Sequence, residues 1–405
     1  MKKVTIFGDI MCEPLLLKAA KKANGQYDFH GVFDHMRDMI TDSDYTIANL
    51  ETPLAGKNAV YTNSLFSFNT PDSFADAIKD AGISLVTTAN NHCLDRGMDG
   101  LIRTVKVLEE KGIPSFGTWK QPEDRKEAVY VDLGDCRVAV LSATYGTNYA
   151  VNHAQLNENQ EKCISILHPY SEPVYKKKVT VAKKHSFPKK VSLKLFYLLQ
   201  EETRIKILKS LHKTYNTPRE DDYLDKDSAM PYFESLRRDI EIARSKADIV
   251  LFYPHVGGQF NINPGAFTKY TFEQAMIMGV DAIVASHPHI VQRAEYTDNI
   301  PCFYSIGNFS MSPNSVYLLH EHLPNYGLAV HLYIEDKQIA RTTFSIVKMV
   351  ENKNEMLTVW PVDALWKVLD MEGKQNLERD VQQLYMTVTG RKMTEDCIKA
   401  EYIFD

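Results

Sequence analysis

Cysteine is scarce and unpatterned in this 405-residue chain. The six residues Cys12, Cys93, Cys136, Cys163, Cys302 and Cys397 show no CxxC spacing. That excludes a disulfide framework and a zinc ribbon, and it points to reduced thiols in a cytoplasm. An excess of basic charge is missing as well. Lys and Arg total 47 against 52 Asp and Glu, a net charge of −5 that disfavours a strongly basic nucleic-acid binder. No apolar run approaches the roughly 18 residues that a membrane-spanning helix needs. The opening stretch Met1-Lys2-Lys3-Val4-Thr5-Ile6-Phe7-Gly8-Asp9 is too short and too soon charged for a secretory signal. Internal repeats and low-complexity tracts are absent. What is plentiful is apolar side chain, 44% of the whole, which excludes disorder and suffices for a large α/β domain with or without an appendage.

Short apolar runs alternate with amphipathic segments, which is the mark of α/β architecture. Val4–Phe7, Tyr45–Leu50, Leu85–Thr88, Ala128–Val131 and Arg137–Ser142 read as strands. Phe74–Ala81 and Gly100–Lys111 have helical spacing, each closed by a glycine where a C-terminal cap belongs. The alternation resumes with helix Glu234–Ser245, strand Ile249–Tyr253, helix Tyr270–Met278, and strands Asp281–Ala285 and Cys302–Ser305. Strand-like runs at Gly327–Ile334, Ala340–Val347 and Met356–Val359 precede a polar helical tail. The expected organisation is one domain over 1–330 and a peripheral strand/helix extension over 331–405. A largely helical insertion interrupts the domain at about 150–230. Within 176–213, twelve Lys/Arg face two Asp/Glu, a local +10 that leaves −15 on the remainder. Apolar residues recur there at helical spacing, so the stretch suits an anionic membrane surface or a polyanion. A solvated helical face balanced by the acidic body is the plainer alternative.

The residues able to bind metal are gathered where strands should end. Asp9 follows the first strand, Glu51 the second, and Asn90-Asn91-His92 the third. His255, His287-Pro288-His289 and Ser305-Ile306-Gly307-Asn308-Phe309 follow three later ones. The carboxyl ends of strands in an open α/β sheet share one crevice, and ligands bind there. Taken singly, Asp9 is equally a helix N-cap, His255 an interior histidine and Asn-Asn-His a turn. His-Pro-His on an extended loop lets two imidazoles face different metals. As a set, two carboxylates, an amide and four histidines match the mixed nitrogen and oxygen ligands of two divalent ions about 3.5–4 Å apart with a bridging carboxylate. No thiolate stands at these strand ends, which favours Mn, Fe or Zn in a hydrolytic site over structural zinc.

Gly8-Asp9, Asn49-Leu50-Glu51, Asn90-Asn91-His92 with Asp95-x-Gly97-x-x-Gly100-x-x-x-Thr104, His255-x-Gly257, His287-Pro288-His289-x-Val291-Gln292 and Tyr304-Ser305-Ile306-Gly307-Asn308-Phe309 form an ordered series. It resembles the signature of the CapA (poly-γ-glutamate capsule synthesis) family, itself similar to calcineurin-like metallophosphoesterases. The resemblance runs over roughly 4–310 outside the insertion and implies a four-layer α/β/β/α sandwich with a dimetal centre. By similarity, Asp9 and His289 hold one ion, Asn91, His255 and His287 the other, and Glu51 bridges. His92 protonates the leaving group with Asp95 orienting it, and Asn49 and Asn308 contact substrate. Two departures stand out. Met11 occupies the third position of the usual Asp-x-His, and Gln259 stands where His-Trp-Gly-x-Glu ends in an acid. Cys12 and Cys93 flank the site either as substitute ligands or as packing residues.

The implied function is a dimetal phosphoesterase-type hydrolase tied to capsule or envelope polymer synthesis. A γ-glutamyl amidohydrolase and a non-catalytic anionic-polymer-binding component are the alternatives. Implied partners are an anionic substrate or polymer and capsule-synthesis proteins, with no specific nucleic acid. The thiol count fits a cytoplasmic location, and peripheral membrane attachment through 176–213 is the alternative.

Overall fold

The computed structural model describes residues 1–64, 66–171, 199, 203, 206–207, 210, 220–315, 319–352, 356–394 and 397–404. The basic stretch 176–213 lies almost wholly outside them. Fifteen strands are present among the described residues. They are β1 (Lys2–Ile10), β2 (Tyr45–Leu50), β3 (Leu85–Thr87), β4 (Ser115–Phe116), β5 (Val129–Leu133), β6 (Cys136–Leu141), β7 (Ile249–Phe252), β8 (Ala282–Val284), β9 (Ala294–Thr297), β10 (Ile300–Phe303), β11 (Asn308–Ser310), β12 (Tyr326–Glu335), β13 (Gln338–Glu351), β14 (Leu357–Pro361) and β15 (Tyr402–Phe404).

They form two sheets in a mixed α/β fold. The first is ordered β14-β13-β12-β1-β2-β3-β4, with β11 beside β1 and β15 beside β13. The second is ordered β5-β6-β7-β8-β10-β9. β1 to β4 pair in parallel, as do β6, β7, β8 and β10. Parallel strands need both faces covered, which is why β1 and β2 read as unbroken buried runs. One apolar cluster draws on both sheets, through Ile6, Ile47, Leu328 and Phe344 of the first and Val140, Leu251, Val284 and Phe303 of the second. A second cluster joins Phe7, Ala48 and Val86 to the helices Pro14–Ala20, Ser73–Ala81 and Gly97–Glu110. A third joins Ala139, Val250 and Ile283 to Lys226–Lys246 and Ala266–Met278.

The described residues of the 331–405 stretch pack against the rest. β13 and β14 extend the first sheet, and Leu377, Val381, Leu384 and Val388 of the helix Met371–Thr389 enter the cluster shared by both sheets. All six cysteines are buried and none forms a disulfide. No helix among the described residues is long and apolar enough to cross a membrane.

The sheets are stitched together beside the site. After β10 the chain turns through Gly307 and lays β11 parallel to β1, pairing Asp9 with Asn308. A Cβ on Gly8 would lie 2.0 Å from the Gly307 carbonyl oxygen, a backbone atom that cannot swing aside. Gly8→Ala is therefore expected to cost about 3 kcal/mol or more, read as a drop in denaturant midpoint. An unchanged midpoint would mean that this crossing is not tight.

Buried His331 contributes to acid stability. His331 is fully enclosed between Thr5 Oγ1 and Ser345 Oγ, each 2.9 Å from a ring nitrogen. Burial, with Lys3 nearby, lowers its pKa from 6.5 to about 3. The folded state thus binds the neutral ring, while the unfolded state takes up a proton already near 6.5. Stability from this residue is complete above pH 6.5 and is lost as pH falls toward 3, at up to about 1.4 kcal/mol per pH unit. His331→Gln should flatten the acid limb of a stability–pH curve relative to wild type, and identical limbs would refute this.

Candidate metal centre

Every implied ligand stands at or just beyond the carboxyl end of a strand. Asp9 is on β1, Glu51 follows β2, and Asn91 and His92 follow β3; His255 follows β7, and His287 and His289 follow β8. Isolated bridges tie Thr144 to His255 and His255 to Ser286, aligning the ends of the second sheet. The Asp9–Asn308 pairing brings the first sheet to the same place. All six ligand candidates, with His92 and Asp95, are buried.

The His-Pro-His loop departs from expectation. It is not extended: His287 has φ +112° and His289 φ +56°. Side chains rarely hold such angles, and strain of this kind concentrates where geometry serves function. Gly257 makes room for the loop, since a Cβ there would meet Pro288 Cγ at 2.6 Å. The two imidazoles consequently converge, with ring centroids 5.8 Å apart.

Glu51 lies at the hub. Its Oε1 is 3.3 Å from His255 Nε2, 3.7 Å from His289 Nε2 and 3.9 Å from His92 Nε2, yet neither carboxylate oxygen has a hydrogen-bond partner. Ligand atoms of Asp9, Glu51 and His255 lie within 4.8 Å of one another, as do those of Glu51, His287 and His289. Glu51 is common to both groups. This grouping differs from the division implied by resemblance, in which His289 goes with Asp9 and His287 with His255. Asn91 reaches the centre through Oδ1, 2.7 Å from His255 Nε2.

The remaining polar groups hold these ligands in place. Asn49 Nδ2 donates to Asp9 Oδ1 at 2.7 Å, and the His287 backbone N–H donates to Asp9 Oδ2 at 3.1 Å. Thr87 and Asn90 in turn donate to Asn49 Oδ1. Asn308 spends its amide on the carbonyls of His289 and Pro324, leaving Oδ1 to accept from His289 Nδ1 at 3.0 Å. That assigns the His289 proton to Nδ1 and points the Nε2 lone pair at Glu51. Asn49 and Asn308, read from resemblance as substrate contacts, thus have their amides engaged in orienting Asp9 and His289.

Electrostatics make the centre hungry for cations. Burial, reinforced by the charge on Glu51, raises the Asp9 pKa to about 7. Burial also raises Glu51, against the pull of His289 and His92. Burial lowers His255 to about 4, and His287 and His289 also fall below the usual range. His255 Nε2 faces His287 Nδ1 at 3.1 Å, Asn91 Oδ1 and Glu51 Oε1, three acceptors around a nitrogen able to carry one proton. Neutral imidazoles turned on unpartnered carboxylate oxygens are the donor set of a divalent cation. The residues fit the implied ions.

His92 stands at the edge of this set. Its Nδ1 is 2.7 Å from Asp95 Oδ2, which also accepts from the Phe68 N–H at 2.6 Å. Burial lowers its pKa, but Asp95, Glu51 and Asp9 outweigh burial and leave it raised. The departures also resolve locally. Met11 packs in the apolar cluster with Phe7 and Ile10 and offers no ligand. Cys12 and Cys93 sit in apolar clusters with thiol pKa values raised by burial, and neither belongs to a metal-capable group among the described residues. Two further polar residues carried no signal in the sequence. Asn148 approaches His92 from the loop after β6, and Ser286 Oγ lies 3.3 Å from His255 Nδ1.

Residues 3–312 match the family described as bacterial capsule synthesis protein PGA_cap. The capsule biosynthesis protein CapA of Bacillus anthracis is 23% identical over 396 residues, covering 94% of this chain and 79% of that protein. The PGA biosynthesis protein CapA of Bacillus subtilis strain 168 is 20% identical over 306 residues, covering 75% and 61%. The uncharacterized protein y4sH of Sinorhizobium fredii is 25% identical over 315 residues, covering 71% and 62%.

Proposed function

This chain belongs to the bacterial capsule synthesis protein family PGA_cap, and from that premise we propose that it is a dimetal-dependent hydrolase of phosphoester bonds, acting in capsule or cell-envelope polymer synthesis. One observation carries the reading: the Glu51 carboxylate is fully buried, lacks a hydrogen-bond partner and is ringed by three imidazole nitrogens. An anion left so in a folded core is costly unless a cation completes it. Asp9, Glu51, Asn91, His255, His287 and His289 would hold two ions of the Mn, Fe or Zn type. Such a pair supplies, when bound, a water acidic enough to attack near neutral pH and positive charge against the developing phosphoryl anion.

The chain itself contributes orientation and a proton. Asn49 and the His287 N–H fix the Asp9 carboxylate, and Asn308 fixes the His289 ring, so neither must reorganise during the reaction. Asp95 holds His92 Nδ1 and leaves Nε2 to protonate the departing oxygen. We read the two sheets and the helices on their outer faces as the four-layer α/β/β/α sandwich, with 1–330 as the catalytic unit. Six cysteines in no disulfide support a cytoplasmic location. The +10 stretch 176–213 supports peripheral contact with anionic lipid, expected as salt-sensitive co-sedimentation with anionic vesicles.

The similarity to the PGA biosynthesis protein CapA of Bacillus subtilis favours a second bond for the same centre, the γ-glutamyl amide. Elemental analysis of the untreated protein, followed by turnover of aryl phosphate mono- and diesters against a γ-glutamyl oligomer, separates these. Bound metal with ester turnover is the expected result. Metal with amide turnover alone transfers the proposal to the second bond, and neither metal nor turnover leaves a polymer-binding component.

A further inference from the structure

The loop after β6 brings one side chain over the proton donor. Asn148 Nδ2 lies 3.5 Å from both ring nitrogens of His92, so the amide sits across the ring and is too distant from either nitrogen for a strong hydrogen bond. No shorter partner of this amide is found among the described residues. Its backbone holds φ +52° and ψ +36°, a left-handed conformation that asparagine tolerates better than most residues. The loop is braced around it. The backbone N–H groups of Val151 and Asn152 donate to the Asn148 carbonyl, Asn152 Nδ2 donates to the Thr147 carbonyl at 2.5 Å, and Thr147 Oγ1 reaches the Tyr170 carbonyl at 3.4 Å. The Tyr149 ring packs edge-on against Tyr170 at 5.9 Å. Asn148 itself is half-buried, while His92 beneath it is buried. An amide with no closer partner among the described residues is thus placed, on a braced backbone, beside the group that delivers the proton.

The charge pattern around it narrows the substrate. Among the described residues, the ion-pair partners of Asp9, Glu51 and Asp95 are His92, His255 and His289, and no Lys or Arg pairs with any of the three carboxylates. A terminal phosphate monoester brings two negative charges and is ordinarily met by an arginine fork or lysine. A diester brings one, and its leaving side presents an esterified oxygen, as a monoester's does, that an amide N–H can meet.

We infer that Asn148 is a substrate-binding residue, donating through Nδ2 to the leaving-group side of a singly charged phosphodiester within a chain, next to His92. This rests on the phosphoester reading above and adds to it the diester class and a contact outside the ligand set. The residue binds and positions; the proton still comes from His92.

The test uses the full-length, Mn-loaded protein and the variants Asn148→Ala, Asn148→Gly and Asn148→Asp, with metal content measured for each. Calorimetric binding of diethyl phosphate and of inorganic phosphate is read apart from hydrolysis of bis(4-nitrophenyl) phosphate and 4-nitrophenyl phosphate. Wild type is expected to prefer the diester in both assays. Asn148→Ala and Asn148→Gly should weaken diethyl phosphate binding about 10-fold with full metal content, and Asn148→Asp about 100-fold through repulsion. Because glycine relieves the left-handed backbone, equal losses in Ala and Gly assign the effect to the amide and not to the loop. Wild-type affinity in Asn148→Gly, or a preference for the monoester, overturns the inference. Diester binding that depends on Asn148 without any turnover retains it while removing the hydrolase reading. Failure of the loaded wild type to bind either phosphate removes the inference and leaves the amide bond as the candidate.

Discussion

Glu51→Gln is expected to stabilise the metal-free protein and, in the same variant, to abolish the stabilisation that added Mn or Zn brings to wild type. The two signs have one cause. Without a cation, the Glu51 carboxylate is a buried acceptor with no donor, and burial raises its pKa. A neutral amide removes that desolvation cost and can donate to a lone pair such as that of His289 Nε2, a gain of about 1–3 kcal/mol. With a cation present the balance reverses, because Glu51 belongs to both metal-capable groups and its loss disables each. A ligand at 100 times its Kd stabilises wild type by about 2.7 kcal/mol, and Glu51→Gln should forfeit all of it. Thermal unfolding of both proteins, with chelator and with metal, checks this in four measurements. Equal metal-induced shifts in the two would eliminate Glu51 as a shared ligand.

His92→Asn should leave the metal content intact and lower turnover of a phosphoester by about 10²- to 10⁴-fold, the usual worth of a positioned general acid. His92 is absent from both groups of converging ligand atoms, and its Nε2 is 3.9 Å from the nearest Glu51 oxygen. Its Nδ1 is committed to Asp95 at 2.7 Å, so a ring with one proton-bearing edge faces the centre. Asp95→Asn should fall less far in turnover, because the amide still reaches Nδ1 while losing the charge that favours imidazolium. Substrates with an activated leaving group, which need little protonation, should be spared in both variants. Equal loss on activated and unactivated esters would assign His92 to binding or structure and not to proton delivery.

The alternation of strands and helices, the placement of ligands at strand ends and the family were all legible in the chain. A parallel strand covered on both faces reads as an apolar run, and a polar residue at its carboxyl end or within three residues beyond it stands out because it faces the crevice. Asp9, Glu51, His255 and His287 are visible for that reason. Several features were not legible. The short strand β11 at Asn308–Ser310 has too few residues for a period, and it exists because Gly8 and Gly307 let two backbones touch. β13 and β14 follow β12 as successive antiparallel neighbours, but the pairing of β12 with β1 and the packing of the helix Met371–Thr389 onto Val4 and Ile6 depend on partners more than three hundred residues earlier. Asn148 is one asparagine among many until the fold carries it across to His92.

Covalent order and hydrophobic period therefore determined the fold class, the residue types at the centre and the kinship to capsule synthesis proteins. Tertiary structure alone decided which imidazole faces which carboxylate, that Asn49 and Asn308 serve the ligands, and that Glu51 is left unpartnered. Local sequence encodes which face a side chain takes, but the distance between two side chains depends on how separate sheets are brought into register, and only the assembled core sets that.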